Sequence, residues 1–267
     1  MNTARLAEKQ PAVLLSFDAE EFDIPLECGH PLPESEQFRI GADGLERTLQ
    51  LLAESRIRAT FFTTAALAQR RPDLIRRAAS EGHEVASHAF YHSRFEPSHL
   101  RLSREVLQSI AGVEVIGFRM PRMAPVAPAL IREAGYRYDS SVNPIWLPGR
   151  YNRLFEKRRA HQLDGLVRIP LGATPLIRWP LFWLAFKNQP RWLSRATTRV
   201  TLAADGYAAL YFHPWELMGN VGFGLPRVIE RTSGPAMCDA LREHLRWLSA
   251  RYRFITYAGF ARERCGV

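Results

Sequence analysis

The chain has 267 residues, 46% hydrophobic and 24% charged, which is ordinary for a globular protein and enough for one α/β domain with a sizeable core. Its formal charge of +9 invites a nucleic-acid partner, but only Lys9, Lys157 and Lys187 among the basic residues are lysines, the arginines are scattered, and no nucleic-acid-binding module is recognisable, so an anionic lipid surface or glycan is the better match. Three distant cysteines, Cys28, Cys238 and Cys265, with no CxxC pair, argue against a disulfide framework and against a thiolate zinc site.

In chain order, Met1–Gln10 is polar and lacks the apolar centre of a secretory signal, and no run of about 18 apolar residues follows, which sets a cytoplasmic location as the expectation. Ala12–Phe17 reads as a buried strand, Glu20–Ile40 as a long acidic loop, and Asp43–Ser55 as a helix with Leu45, Leu49 and Leu52 on one face. Ala59–Thr64 is a second strand. Pro72–Glu81 is a helix with proline near its start and Gly82 after its end. His83–Ala86 (strand), Pro97–Ile110 (helix), Val113–Phe118 (strand) and Pro125–Ala134 (helix) continue the alternation. Tyr136–Ser141, Leu166–Pro170, Tyr207–Phe212 and Arg253–Thr256 are further strands, with the amphipathic helix Pro235–Ala250 before the last. Such β-α alternation predicts a mainly parallel sheet, open or closed into a barrel, with its ligand site beyond the carboxyl ends of the strands.

The chemically able residues fall at those ends. Asp18, Glu20 and Glu21 follow the first strand, and His88 and His92 follow the third. Arg119 and Arg122 follow the fourth, Asp139 lies on the fifth, and His213, Trp215 and Glu216 follow the seventh. Two histidines four apart can face one way on a helical turn, and two imidazoles plus a carboxylate form an open three-ligand site for a divalent metal ion. Asp18 closes an apolar strand, so it reads as functional, and residues two apart in extended chain let Asp18 and Glu20 face the same way. Asp23, Glu27, Glu34 and Glu36 read as a solvated acidic surface, and His30, His99, His161 and His244 as ordinary loop or helix histidines.

The motif order resembles the NodB-type polysaccharide deacetylases, a carbohydrate esterase family. It is carried by an Asp-bearing strand end (Ser16-Phe17-Asp18), His83-Glu84-Val85-Ala86-Ser87-His88 with His92, Arg119-Met120-Pro121, Tyr138-Asp139-Ser140-Ser141, and Phe212-His213-Pro214-Trp215-Glu216. The form of these motifs is similar to a bacterial subgroup found in exopolysaccharide and O-antigen gene clusters. The resemblance implies a single domain spanning residues 1–267 with an irregular (β/α)7-type barrel. It implies metal-dependent removal of an N-acyl group, acetyl first, from a sugar of surface polysaccharide or O-antigen assembly. Asp18 then matches the general base, Arg119 its partner, His213 the catalytic acid and Asp139 the partner of that acid. Glu20, His88 and His92 match the metal ligands, with Glu21 as fallback, for zinc or else cobalt, nickel or manganese. Tyr91, Arg122 and Trp215 are candidate substrate contacts. Two departures bear on substrate fit: Arg122 stands where many members carry an aromatic residue, and a tryptophan often found near the Asp139 motif is absent.

The segment Ala173–Arg199 interrupts the alternation. It holds Trp179, Phe182, Trp183, Phe186 and Trp192 among Arg178, Lys187, Arg191 and Arg195. It reads equally as a helix packed on the barrel or as an interfacial segment resting on the inner face of an anionic membrane, where it would meet a lipid-linked glycan. The rival readings are a deformylase acting on an N-formyl sugar on a lipid carrier and a carbohydrate-binding protein without catalysis.

Overall fold

A computed structural model describes residues 10–267; the polar N-terminal stretch up to Lys9 lies outside them. Seven strands run parallel: β1 (Ala12–Ala19), β2 (Thr60–Thr63), β3 (Glu84–Ser87), β4 (Gly117–Phe118), β5 (Tyr138–Asp139), β6 (Leu166–Arg168) and β7 (Tyr207–Phe212). Their order across the sheet is β7-β1-β2-β3-β4-β5-β6. A short strand, His161–Leu163, adds antiparallel to β6, and Arg253–Phe254 pairs with the start of β1. The sheet curls into the expected irregular barrel. Between β6 and β7 no ladder forms; instead the Gly172 N–H donates to the Ala209 carbonyl at 3.0 Å, and Phe182 bridges to Tyr211.

The central strands are buried on both faces and mostly apolar, because both faces are covered. On β1, Val13, Leu15 and Phe17 pack in the larger core with the outer helices. Leu14 packs in a second core with Phe62, Tyr138 and Tyr257. The period of two therefore gives Ser16 and Asp18 the same face as Leu14, at the carboxyl end of the strand.

The region after β1 differs from expectation. Only part of Glu20–Ile40 is loop: Ile24–Glu27 forms one helical turn, and the helix expected from Asp43 begins at Glu34 and runs to Ser55. Phe38, Ile40 and Gly41 are buried and extend the apolar stripe of Leu45, Leu49 and Leu52, while Glu34 and Glu36 suit the positive end of the helix. The acid content hid that stripe. This helix lies against two of the chemically important strand ends: a Cβ on Gly41 would fall 2.2 Å from the Glu20 carbonyl oxygen, and one on Gly44 would fall 2.5 Å from that of Pro214. Only glycine permits the approach.

Two other expectations change. The strand expected over Val113–Phe118 shortens to Gly117–Phe118. The segment Ala173–Arg199 is a loop followed by two helices, Trp183–Asn188 and Arg191–Asp205. Phe182, Trp183 and Lys187 are buried, and Arg191 and Arg195 pair with Glu243, so the centre of this segment is core and not an interfacial face. Leu176, Ile177, Trp179 and Trp192 remain exposed.

Candidate metal centre and active site

The strand ends converge. Glu20, just past β1, places Oε2 3.1 Å from His88 Nε2 and 3.2 Å from His92 Nε2. Among the described residues, these three form the one group of His, Cys, Asp and Glu whose ligand atoms all lie within 4.8 Å of one another. His88 and His92 do not share the expected helical turn. They sit in the loop after β3, where Ala89 takes a left-handed conformation (φ 61) and the two rings lie stacked 5.6 Å apart.

The ring orientations are fixed from behind. His88 Nδ1 lies 2.8 Å from the Arg119 carbonyl and His92 Nδ1 lies 2.7 Å from Asp23 Oδ1, so each ring donates there and keeps its Nε2 lone pair for the centre. Glu20 Oε1 accepts from the Trp215 indole N–H at 3.1 Å. Glu20 Oε2 is buried and has no hydrogen-bond partner among the described residues. A buried carboxylate oxygen left unmet beside two aimed imidazole nitrogens is costly for a polar interior and is what a divalent cation would satisfy. The donor set of two nitrogens and one oxygen therefore fits such an ion.

Electrostatics agree. Burial would raise the Glu20 carboxyl, but the charges of His92, His213 and His88 outweigh it and hold the group well below the usual carboxylate range. Burial would lower His92, but Glu20 and Asp23 push it up to about 9. A cation entering here would displace that proton, so its affinity would rise with pH.

Two acidic residues occupy roles the sequence did not reveal. Glu21, the fallback ligand, faces away: it accepts from the His92 backbone N–H and from the Thr64 hydroxyl, each at 2.8 Å. Asp23 is not part of a solvated surface. It is 1% exposed and bridges His92 to Arg122, whose Nη2 donates to it at 2.8 Å. Its sequence signal was faint, a single aspartate five residues past Asp18 before a short apolar turn.

Asp18 accepts from Arg119 Nη1 while its other oxygen lies 4.0 Å from His88 Nε2. Arg119 is completely buried. Its Nη2 donates to the hydroxyls of Ser16 (3.1 Å), Ser140 (3.1 Å) and Tyr257 (3.2 Å), and its guanidinium lies 3.8 Å over the Phe62 ring. Burial works against its charge, and Asp18 more than restores it. The pair leaves a carboxylate held at the edge of the metal centre by a partner that cannot move.

His213 approaches from the opposite side, with Nε2 3.7 Å from Glu20 Oε1. Its ring stacks on Trp215 at 4.7 Å and meets the edge of Trp183 at 5.1 Å. Burial would lower its pKa, but the Glu20, Glu216 and Asp18 carboxylates raise it overall. The expected partner, Asp139, is engaged elsewhere: Oδ1 accepts from the Ser141 N–H and hydroxyl, and Oδ2 accepts from Arg168 Nε at 2.9 Å. Glu216 takes the place near the ring, with Oε1 3.7 Å from His213 Nδ1.

Asp18, Glu20, His88, His92 and His213 line a cavity of about 240 Å³ whose walls include Met123, Leu147, Tyr151, Phe182, Trp183 and Ile229. Arg122 lines it as expected, tied to Glu27 at 2.6 Å as well as to Asp23, and it sits beside Met123 with both residues in left-handed conformation (φ 56 and 54). Trp215 also lines it but is buried to 1% and spends its indole on Glu20, which makes it a positioning group. Tyr91 does not reach the cavity; it packs on Phe90 and under the Arg94 guanidinium.

Comparison with known proteins bears on the family and the fold. The sequence model of the family described as polysaccharide deacetylase matches residues 7–138, close to half of the chain. A chitooligosaccharide deacetylase of Sinorhizobium fredii is 45% identical over 62 residues, 23% of this chain and 29% of that protein, so the match spans under a third of the relative. A Mycobacterium smegmatis structure assigned as a polysaccharide deacetylase superposes with a TM-score of 0.66 at 22% identity, over 97% of this chain and 91% of that one. The structure of Puue allantoinase superposes with a TM-score of 0.67 at 16% identity, over 98% and 93% of the two chains. At such identities the two structures establish the fold and leave substrate to the site itself.

Proposed function

The chain belongs to the polysaccharide deacetylase family, and from that premise we propose that it hydrolyses the N-acyl group of a sugar, N-acetyl first, at a divalent metal centre held by Glu20, His88 and His92. The observation that carries the proposal is the buried, unpartnered Glu20 Oε2 beside the two imidazole Nε2 atoms. Zinc suits the two-nitrogen, one-oxygen set, with cobalt, nickel or manganese as the other ions of matching preference. When bound, such an ion supplies Lewis-acid polarisation of the amide carbonyl and acidifies water.

The remaining steps belong to side chains. Asp18, held in place by Arg119, takes a proton from the attacking water. His213, whose raised pKa keeps a proton available, donates it to the departing amine nitrogen, without which an amide has no adequate leaving group. Arg122 on the cavity wall offers a cation to an anionic or hydroxyl-rich sugar. The biological setting we infer is assembly of bacterial surface polysaccharide or O-antigen.

We read a set of exposed apolar side chains as a rim that would suit a lipid-linked form of this substrate. Leu176 and Ile177, 96% and 77% exposed, and Trp146, 60% exposed, flank Arg178, which reaches the Pro144 carbonyl at 3.5 Å. Trp146 belongs to the hairpin whose Leu147, Pro148 and Tyr151 line the cavity. No helix among the described residues is long and apolar enough to cross a membrane, so contact through this rim would be peripheral.

The test is metal analysis joined to product assay. The purified protein is expected to hold one equivalent of divalent metal and to release acetate from N-acetylglucosamine oligomers, with formate release from an N-formyl sugar as the rival outcome. His88→Ala and His92→Ala should each lose the ion. Full occupancy in both variants, or no acid released from either sugar class, would overturn the proposal.

A further inference from the structure

We infer that Glu216, pinned by Lys187, is the residue that orients the His213 imidazole, a role the sequence suggested for Asp139; the inference rests on the proposed hydrolysis for its meaning but not for its test. Glu216 and Lys187 are both completely buried in their side chains, and Lys187 Nζ lies 3.1 Å from Glu216 Oε2. Lys187 also donates to the Ile229 carbonyl at 2.6 Å, which fixes the ammonium. The other Glu216 oxygen lies 3.7 Å from His213 Nδ1. Among the described residues, His213 Nδ1 and both Glu216 oxygens are buried without a hydrogen bond. Lys187 meets Glu216 Oε2, which leaves Glu216 Oε1 and His213 Nδ1 as two buried polar atoms facing each other, and closing 3.7 Å to hydrogen-bond length needs less than about 1 Å of movement.

The arrangement has a chemical logic. Lys187 occupies one Glu216 oxygen, and the other faces the ring as an acceptor. A carboxylate at Nδ1 holds a proton there and leaves Nε2, on the Glu20 side, to deliver its own. Once Nε2 has given its proton to the leaving nitrogen, the neutral ring retains Nδ1–H, the tautomer a carboxylate at Nδ1 stabilises. Trp215 and Trp183 hold the ring plane, and Glu216 sets its rotation within that plane. Asp139 cannot share this work while Arg168 and Ser141 occupy both its oxygens. Lys187 comes from the helix Trp183–Asn188, so the segment that interrupts the sheet pattern contributes to the active site.

The test reads the ring directly. Zinc-loaded protein carrying 15N-histidine is examined by long-range 1H–15N correlation, with His213 assigned through its loss in His213→Asn. Wild type should show neutral His213 protonated on Nδ1. The double variant Lys187→Met/Glu216→Met, which removes both buried charges and so avoids stranding either, should shift the proton to Nε2 while retaining its thermal melt. Its kcat on the N-acyl sugar should fall by roughly 10- to 100-fold with KM within about twofold, the pattern of an interaction made in the transition state. Glu216→Asp should restore part of kcat. Asp139→Asn should leave the tautomer unchanged. A folded double variant that keeps the Nδ1–H form, or an Asp139→Asn variant that alone loses it, overturns the inference. If wild type hydrolyses no sugar, the deacetylase proposal falls separately, and the tautomer still decides the assignment to Glu216.

Discussion

Asp18→Asn separates the base from the metal site. The substitution keeps shape and removes one charge from a pair whose side chains are 3% and 0% exposed. Breaking such a buried pair generally costs about 3–5 kcal/mol, because the survivor is left uncompensated. Here Arg119 keeps its bonds to Ser16, Ser140 and Tyr257 and its place over Phe62, so the loss belongs at the lower end, about 3 kcal/mol. Against a typical domain stability of about 5–15 kcal/mol the variant stays folded, with Tm lowered by roughly 6–12 °C for a chain of this size. Turnover should drop far more, by about 10²- to 10⁴-fold, the range supplied by a positioned general base. Metal content should stay close to wild type, because the Asp18 oxygen is 4.0 Å from His88 Nε2 while Glu20 stands at 3.1 Å. The measurements are acid release, metal analysis and a thermal melt on one preparation. Turnover within tenfold of wild type would remove Asp18 as the base, and loss of the ion in step with activity would make it a ligand.

His244 is buried at 4% exposure against Phe186 and Trp247, and burial followed by the nearby Arg195 charge pushes its pKa down to about 4. Above pH 6.5 the residue is neutral in both states; below it the unfolded chain gains a proton that the folded chain refuses until about pH 4. Stability should therefore fall by about 3 kcal/mol across that window from this residue. His244→Phe should flatten that part of the acid dependence in urea titrations at pH 7 and 4.5, and an unchanged acid loss would contradict the argument. On the rim, Leu176→Ser/Ile177→Ser should weaken co-sedimentation with anionic liposomes at low salt without altering the melt, whereas Trp183→Ser should cost about 3–5 kcal/mol as a large-to-small core change. Absence of liposome binding at low salt would leave the rim without a membrane role.

Much of the fold was legible because parallel strands buried on both faces spell themselves as apolar runs, as Ala12–Phe17 and Tyr207–Phe212 do. Where the reading slipped, tertiary context outweighed local pattern. The helix at Glu34–Ser55 buries Phe38 and Ile40 under an acidic surface that looked like loop. The strand over Val113–Phe118 shrank because only Gly117 and Phe118 find partners in β3 and β5. In Ala173–Arg199, composition alone could not divide aromatics that pack on His213 from those that face outward. The deciding feature was a lysine within an apolar helix, which only the fold could match to Glu216.

The same contrast runs through the site. Groups whose chemistry is local to a strand end, Asp18, Glu20, His88, His92, Arg119 and His213, could be picked out from position and type, because a polar residue ending a buried strand needs a reason to be there. Groups placed behind those side chains were invisible in the sequence or have neighbours other than those expected. Asp23 belongs to the turn after β1 yet completes His92, 69 residues away in the chain. Asp139 carries a motif that suggested contact with His213, but the fifth strand delivers it to Arg168 on its neighbour β6, with which it is in register. Glu216 lies three residues beyond His213 in a tight turn, which returns its carboxylate behind the ring it follows. The supporting layer of this centre is set by which loops meet, and that depends on sheet order, which a sequence motif does not record.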